Sequence, residues 1–536
     1  MSEPTFTVRI AFASDPLAAS PSWTTVSGVR RISISRGRNH ELDRMEAGRA
    51  TVVLDNQDGD FWPDNSGGAY YGNLKVMKRI NIRATLDGTP YDLFTGYIES
   101  WRPGYLGQGG YGSMMTLQCA DAFKIFAQMV LNDGVGYSQE ASGTRVGNVL
   151  DDIGWPAGAR DIDAGQVTLQ STGGLVNINA LSHLQAVQET ELSLLYMARD
   201  GDVQYEDRSH RTGSPHDTSQ ATFGPGNLPY VDFKYSLDEV FLFNDVRVTR
   251  SGGAEQVATN STSQTAYGKR SLVRSATLHS SDVQAELLAD YLAARYADSV
   301  GRLSSFKVVP SSDNSIWPQI MSREISDRIT FEKVAAGIDK DYFIEHISLE
   351  FDLTNNQYSA EYGVSDADQY HYELDAKTET LRPNSDGTFD NTSGSYTNID
   401  ESTPDDGDHN DGGASTPGTG YFRVGLPSSA YVTGIINSVM VKNRIAKDLS
   451  HAMFNVRTLV YTHSTDYFGT DRSASIQEGV FTTFEDTWAV NPNTGVAWTW
   501  AEIADLQVGS TTYKNASGAK SQHSWMEVVI NFTPQW

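Results

Sequence analysis

Three tryptophans near the C-terminal end of the chain are the residues whose type and spacing best fit ligand contact. Trp488, Trp498 and Trp500 stand beside turns that contain Asn491 and Asn493. Indole faces stack on the apolar faces of sugar rings, and amide side chains bond sugar hydroxyls. The segment predicts contact with a cell-surface glycan, with packing in a sandwich core as the alternative. Because alternate strand residues share a face, Trp498 and Trp500 are predicted to be both buried or both exposed.

A second stretch offers the densest set of oxygen ligands in the chain. It runs Asp405-Asp406-Gly407-Asp408-His409-Asn410-Asp411. Alternating Asp and Asn with glycine turns can wrap Ca²⁺, but the stretch lacks the closing Glu and the flanking helices of an EF-hand. A surface acidic loop is the favoured prediction, and a Ca²⁺ site is the alternative.

The remaining candidates give no pattern that supports catalysis. The chain has no H-E-x-x-H, no zinc-type ligand spacing and no G-x-S-x-G. The one cysteine, Cys119, lies in a predicted strand and is expected to be a small buried apolar residue. The glycine-rich run Gly107–Gly112 lies between two strands, so it predicts a hairpin tip rather than a phosphate loop. We therefore predict that the protein is not an enzyme and has no catalytic, cofactor-binding or metal-binding residues.

The charge of the chain bears on its partners. The formal net charge is −26 over 536 residues. Such a surface disfavours sequence-specific binding of nucleic acid and suits a conduit through which DNA must pass, although solubility alone would explain it equally well. There is no apolar run of about 18 residues that would span a membrane. No basic segment followed by an apolar one stands at the N-terminus, which predicts synthesis in the cytoplasm.

The hydrophobic pattern predicts a mainly β chain that holds these residues on several domains. Short strands separated by turns recur through most of the sequence, and two helices interrupt them at Asn179–Leu192 and, behind a Ser281 cap, at Asp282–Ala297. The expected organisation is a β-barrel domain at 1–129, a mixed α/β domain at 130–235, a second β-barrel domain with one helix at 236–370, a linker at 371–385, and a C-terminal β-sandwich at 386–536.

Two segments of the chain repeat a similar pattern. Arg79-Ile80-Asn81-Ile82 is followed by a Gly turn and an aromatic-rich strand that ends in Tyr97-Ile98-Glu99. Arg328-Ile329-Thr330-Phe331 is followed by a Gly turn and a strand that ends in His346-Ile347-Ser348. The repeat covers about 20 residues and predicts two similar β domains, although two unrelated hairpins could also produce it.

Motifs in the first part of the chain resemble a known family. They are the run from Leu42 to Asn56, the run Tyr91-Asp92-Leu93-Phe94-Thr95-Gly96-Tyr97-Ile98, and Asp121-Ala122-Phe123. Together they resemble the minor tail proteins of siphophages, especially those that infect actinobacteria. The segments Asn244–Val248 and Tyr267–Arg270 look like parts of the hub domains of tail-tip proteins. The resemblance covers roughly residues 1–365.

The resemblance implies a fold and a set of partners. In that family the hub is a trimer, and the two barrels of each subunit form a pseudo-sixfold ring between the hexameric tail tube and a threefold tip. The C-terminal residues Leu381–Asn384, Thr403–Asp406 and Trp488–Gly495 look like a jelly-roll module that is common in phage structural proteins. The implied partners are the chain itself as a homotrimer, the tail tube, and the distal tail and other tail-tip proteins.

These observations lead to one predicted function and two alternatives. The first is a structural component of the distal tail tip, located in the virion, that forms an axial ring and helps DNA exit. The second is a receptor-binding tail adhesin whose C-terminal sandwich binds host cell-surface polysaccharide. The third is a tail-associated lysin, which the absence of a hydrolytic motif disfavours.

Overall fold

A computed structural model describes residues 3–104, 114–131, 136–310, 313–370, 374, 376–413 and 417–534. The glycine-rich run Gly107–Gly112 falls outside the described residues. The chain divides into two compact units, Met1–Tyr372 and Glu373–Trp536. Strands dominate both units, so the prediction of a mainly β chain is confirmed.

The first part of unit 1 is built from seven strands. They are β1 Thr5–Ile10, β2 Thr24–Val26, β3 Val29–Gly37, β4 Glu46–Asp55, β5 Arg79–Leu86, β6 Thr89–Gly104 and β7 Met114–Ala120. The strands lie in the order β3-β4-β7-β6-β5-β1-β2. Alternation along each strand places one set of side chains in the core, as with Val8 and Ile10 of β1 or Val52 and Leu54 of β4, all fully buried.

A mixed α/β part follows, as predicted. It contains α1 Phe123–Phe126, β8 Glu140–Ala141, α2 Ser142–Asp152, β9 Arg160–Ile162, β10 Thr168–Leu169, α3 Ala180–Glu191, β11 Leu194–Met197 and β12 Val203–Glu206. The Asn179 side chain caps α3 by accepting from Ser182 N–H, which confirms that predicted helix. Helix α2 begins at Ser142, whose hydroxyl donates to Glu191 and whose N–H donates to the carbonyl of Val167.

The last part of unit 1 returns to strands. It contains β13 Thr222–Phe223, β14 Asp232–Leu237, β15 Asp245–Arg250, β16 Glu255–Thr259, α4 Ser261–Tyr267, β17 Ser271–Thr277, α5 Asp282–Arg295, β18 Gly301–Val308, α6 Ile316–Ser322, β19 Arg328–Lys333, β20 Ile338–Asp352 and β21 Gln357–Asp366. Strands β15–β17 form a separate sheet against α5. The Ser281 hydroxyl caps α5 as predicted, although the helix ends at Arg295.

Unit 1 contains the same six-strand arrangement twice. The first copy has the order β3-β4-β7-β6-β5-β1, and the second has β14-β18-β21-β20-β19-β13. When the six strands of each copy are numbered in the order in which they occur along the chain, the two copies have the same spatial order of strands. Both long strands also carry a bulge at the same place, where the register skips Glu99 in β6 and Glu345 in β20. The sequence repeat is therefore confirmed, with one difference: β1 runs antiparallel to β5 while β13 runs parallel to β19.

The two copies are joined into one sheet. Strand β3 of the first copy pairs antiparallel with β20 of the second, from Arg31 opposite Asp352 to Gly37 opposite His346. A single hydrophobic core extends through both copies and the α/β part between them. Among the described residues the pairings trace an open path from β14 to β2, so the closure of either copy into a barrel stays a prediction.

Unit 2 is a β-sandwich. Its elements are β22 Lys377–Leu381, β23 Ser385–Asp390, β24 Thr392–Ser393, β25 Asn410–Gly412, β26 Gly418–Gly425, β27 Ile435–Lys447, β28 Thr458–Thr462, β29 Thr465–Phe468, β30 Thr482–Trp488, α7 Trp500–Ala504, β31 Gln507–Lys514 and β32 Ser521–Thr533. One sheet contains β25-β32-β27-β30 and the other β26-β31-β28-β29. This is the strand order of a jelly roll, with the shared core between the sheets.

Part of the predicted linker belongs to the sandwich. Strand β22 lies inside the segment 371–385, and its residues Lys377–Leu381 pair with β32. Strand β22 is mostly polar because only one of its faces is covered, and Leu381 is its one core residue. The linker prediction is therefore wrong for these residues.

Candidate functional site

The segment from Trp488 to Trp500 does not form the strand on which the same-face prediction depends. Trp488 ends β30, Trp498 lies in the following loop, and Trp500 begins α7. Thr499 caps this helix through a capping box with Glu502, in which each side chain bonds the backbone N–H of the other residue. The period-two argument was wrong because Thr499 and Glu502 form a helix start that outweighs the apolar alternation.

The three indoles pack in and beside the sandwich core. Trp498 is 3% exposed, and its Nε1 donates to the carbonyl of Trp488 at 3.2 Å. The Trp500 Nε1 donates to the carbonyl of Gly434 at 3.0 Å, and its ring meets Phe532 edge-on at 5.1 Å. Trp488 and Trp500 are half-buried against the same core. The ring faces predicted to stack on sugars are thus largely engaged within the protein.

The two asparagines between them organise the loop. Asn491 is fully buried, and its Oδ1 accepts from the N–H of Asn493 at 2.9 Å. Its backbone N–H bonds Val496. Asn493 is exposed, and its Nδ2 donates to the hydroxyl of Tyr467 at 2.8 Å. Of the five predicted glycan contacts, Asn493 is the one with an exposed side chain.

A different face of the sandwich carries an ordered aromatic group. Arg423 of β26 lies over the ring of Tyr461 at 4.0 Å and over the ring of Tyr421 at 5.0 Å. Its Nη2 is 2.8 Å from Oδ2 of Asp466 in the neighbouring hairpin. The strand register places these four side chains on the face opposite the core, and we call them the tyrosine platform. Sequence reasoning missed this group because its members lie on three strands and only the register joins them.

The acidic stretch is tied to basic side chains. Arg444 forms a bidentate pair with Asp406 at 2.7 and 2.8 Å, and Ser524 donates to the same carboxylate. The neighbouring Asp411 lies 3.1 Å from Lys520 Nζ. The Arg444 pair holds the pKa of Asp406 below its ordinary value. These two carboxylates are therefore already neutralised by cations of the protein.

The described residues give no grouping of three or more His, Cys, Asp or Glu side chains suited to a metal ion. Cys119 is buried in β7 as predicted, and burial raises the pKa of its thiol. A search of the described residues for a helix long and apolar enough to cross a membrane finds none.

A buried ion cluster lies where the two copies of unit 1 meet. Glu345, the residue at the β20 bulge, accepts from Arg38 Nε at 2.7 Å and from Arg211 Nη1 at 2.5 Å. Ser365 donates to the same carboxylate at 2.6 Å. Burial alone would raise the pKa of Glu345, but the two guanidinium groups outweigh it and hold that pKa well below its ordinary value. The cluster joins β3, the α/β part and β20.

Two of the motifs that carry the family resemblance meet at another buried carboxylate. Asp121 accepts from the N–H of Gly48 at 2.5 Å and from that of Phe123 at 2.9 Å. A Cβ on Gly48 would stand 2.8 Å from the Asp121 carboxylate, so only glycine leaves room for this contact. The motif residues are thus structural, since they hold the paired strands β4 and β7 against the start of α1.

Neither the known family models nor the curated proteins include a match to this sequence. Among solved structures, the chain is similar to a 43 kDa tail protein of prophage MuSo2 from Shewanella oneidensis, with 14% identity over 68% of this chain and 99% of that one, at a TM-score of 0.46. A tail protein from Neisseria meningitidis is 12% identical over 68% and 97%, with a TM-score of 0.46. A prophage tail protein from Listeria monocytogenes is 10% identical over 68% and 95%, with a TM-score of 0.39.

Proposed function

We propose that this chain is a structural component of the distal tail tip, or baseplate hub, of a long-tailed bacteriophage. Its copies form an axial ring, a homotrimer in the virion, that joins the tail tube to the tip and helps DNA exit. The proposal assigns the chain no catalytic role. Its partners are other copies of the chain, the tail tube, and the distal and tip proteins around it.

The observation that carries the proposal is the duplication within unit 1. Each chain presents two copies of one six-strand arrangement, joined by the β3–β20 pairing. A threefold ring of such chains presents six similar surfaces and can therefore contact a sixfold tube on one side and a threefold tip on the other. Closed rings are the usual outcome of head-to-tail contacts between identical chains. The resemblance of the motifs in residues 1–365 to siphophage minor tail proteins supports the same role.

The net charge fits passage of DNA through such a ring. The whole chain has a net charge of −26, and a wall that shares this excess of acidic groups would repel the phosphate backbone, whereas basic contacts would release counterions and bind it. The ring lumen is therefore proposed to be acidic or neutral. A lumen lined by Lys and Arg would contradict this part of the proposal.

Imaging of assembled particles tests the proposal. Gold-labelled antibody against unit 2 should mark the distal end of the tail and no other site. An averaged image of the tip should place unit 1 on the tail axis. Label along the tail shaft, on the capsid, or away from the axis would reject the hub role.

The tyrosine platform favours one second candidate, a receptor-binding adhesin that contacts host cell-surface polysaccharide. Its Arg423–Asp466 pair is internally neutral, and two tyrosines flank it on a rigid sheet. Aromatic faces and a fixed polar pair are the groups that bind uncharged sugars. Glycan arrays probed with the full chain test this candidate. Tyr461→Ala should weaken binding about tenfold, whereas Phe454→Ala, an exposed aromatic outside the platform, should not. A chain that binds no glycan on the array rejects the candidate.

A further inference from the structure

We propose that β14 of one chain pairs antiparallel with the C-terminal part of β6 in a second copy, and that this junction repeats the β3–β20 junction inside each chain. The inference rests on the proposed ring for its biological role. Its strands and register come from the internal duplication alone.

The duplication identifies which strands are equivalent. In the two six-strand orders β3 corresponds to β14, and β6 corresponds to β20. The bulges fix the alignment of the long strands, because Glu99 and Glu345 are both skipped. Ser100 therefore corresponds to His346, and Trp101 to Ile347. Strand β14 can therefore pair with β6 of a neighbouring chain in the way that β3 pairs with β20 within one chain.

The internal junction also fixes the register of the proposed one. Inside the chain Arg36 lies opposite Ile347, and Ser35 lies opposite Ser348. Ile32 of β3 and Phe233 of β14 are counterparts, because equivalent series of paired residues lead to them from the bulged strands. The series are Trp101, Leu117, Val52 and Ile32 in the first copy, and Ile347, Tyr362, Phe306 and Phe233 in the second. Counting from this pair, Ser236 of one copy should lie opposite Arg102 of the next. Leu237 should then lie opposite Trp101, and Tyr235 opposite Pro103.

Both strands have an edge available for pairing. Strand β14 ends the sheet, and β18 is the one strand that pairs with it in the described part of the chain. On the edge of β6 that faces β5, the last backbone hydrogen bonds are those of Ile98. Its carbonyl accepts from Met77 N–H, and its N–H donates to the carbonyl of Lys78. After Ile98, no strand among the described residues pairs with this edge of Ser100–Gly104, whose other edge pairs with β7. Unpaired edges of this kind are templates for strand addition.

The side chains of the two edges are complementary. Leu237 is 70% exposed and Tyr235 is 49% exposed, so two large apolar side chains on one face of this edge strand lie in solvent. The register places them against Trp101 and Pro103, so that apolar groups cover each other as the buried Ile34 and Leu349 do inside the chain. Pro103 has no N–H, so this junction has one backbone hydrogen bond fewer. A second copy is the occupant because the internal β3–β20 junction already shows the pairing.

Disulfide trapping between full-length chains tests the register. The variants Ser236→Cys and Arg102→Cys are prepared separately, mixed and oxidised, then run on a non-reducing gel. A linked dimer is expected in the mixture and in neither variant alone. Buried Cys119 is common to all samples. The double variant Ser35→Cys and Ser348→Cys should close within one chain and shows that the conditions trap this geometry.

A shifted pair makes the test specific. Gly104→Cys replaces Arg102→Cys in the mixture, which displaces the thiol by two residues, about 7 Å along the strand, beyond disulfide reach. An equal yield from the shifted pair, or no linked dimer in either mixture while the internal pair closes, overturns the proposed junction. If native mass measurement still shows a ring, the hub role survives and only this junction is rejected. If the imaging test fails while the predicted dimer forms, the junction stands and the hub role is rejected.

Discussion

The carboxylate of Glu345 accepts a hydrogen bond from Arg38 Nε at 2.7 Å, across the junction of β20 with β3, although the residues stand 307 positions apart. Both side chains are buried, and Arg211 completes the cluster from the α/β part. A buried ion pair contributes little net stability compared with apolar packing, but removal of one partner leaves an uncompensated charge. The cluster therefore adds to the β3–β20 pairing a buried contact that depends on one carboxylate.

Replacement of that carboxylate should destabilise unit 1. Glu345→Gln keeps the shape of the side chain but leaves two buried guanidinium groups without their anion, so we expect a loss of about 3–5 kcal/mol in the free energy of unfolding. Urea denaturation followed by tryptophan fluorescence measures it. Glu350→Gln, on the same strand but exposed, is the matched control and should change stability by less than about 1 kcal/mol. Equal effects of the two substitutions would contradict the assignment.

The same carboxylate predicts a pH dependence. Its pKa in the folded protein lies below the ordinary glutamate value of 4.5. Its contribution is therefore fully present above pH 4.5 and is lost as the pH falls toward the folded-state pKa. The stability difference between wild type and Glu345→Gln should thus be constant from pH 8 to about pH 5 and narrow at lower pH. A difference that widens in acid would show that the folded-state pKa is not lowered.

The sequence predicted the elements of unit 1 better than their connections. The repeat of Arg79-Ile80 and Arg328-Ile329 predicted two similar domains because hairpin pattern is local. The ion cluster was not predictable, since Arg211 lies in a polar stretch that reads as a surface loop, yet its side chain is 2% exposed. Its partner Glu345 is 134 positions away, and the spacing of residues within a short segment cannot predict a contact over that distance in sequence.

The candidate site in unit 2 shows the same limit. The alternation of Trp498 and Trp500 predicted one strand, but the local capping box of Thr499 and Glu502 begins a helix there instead. The tyrosine platform depends on register between β26, β28 and β29, which non-adjacent segments determine together. The amino-acid sequence of any one of these strands therefore could not predict the platform.

Removal of the Trp498 indole should unfold the sandwich rather than weaken a ligand contact. Trp498→Ala deletes a buried ring and a hydrogen bond to Trp488, so we expect a loss of about 3–5 kcal/mol in stability. Asn493→Ala changes an exposed side chain of the same loop and should cost less than about 1 kcal/mol. Thermal melts followed by circular dichroism distinguish the two. If Trp498→Ala retains the wild-type melting temperature, the indole does not pack as described.

Strand β22 should be required for a stable C-terminal domain. It pairs with β32 over five positions and places Leu381 in the core, and its Glu379 accepts from the N–H of Ala430 at 2.7 Å. A fragment that begins at Leu374 keeps this strand, whereas one that begins at Asp386 leaves the edge of β32 unpaired. Because the shorter fragment also loses the burial of Leu381, its free energy of unfolding should be lower by at least about 2 kcal/mol in urea titrations. Equal stability of the two fragments would show that β22 is dispensable and that the domain begins after it.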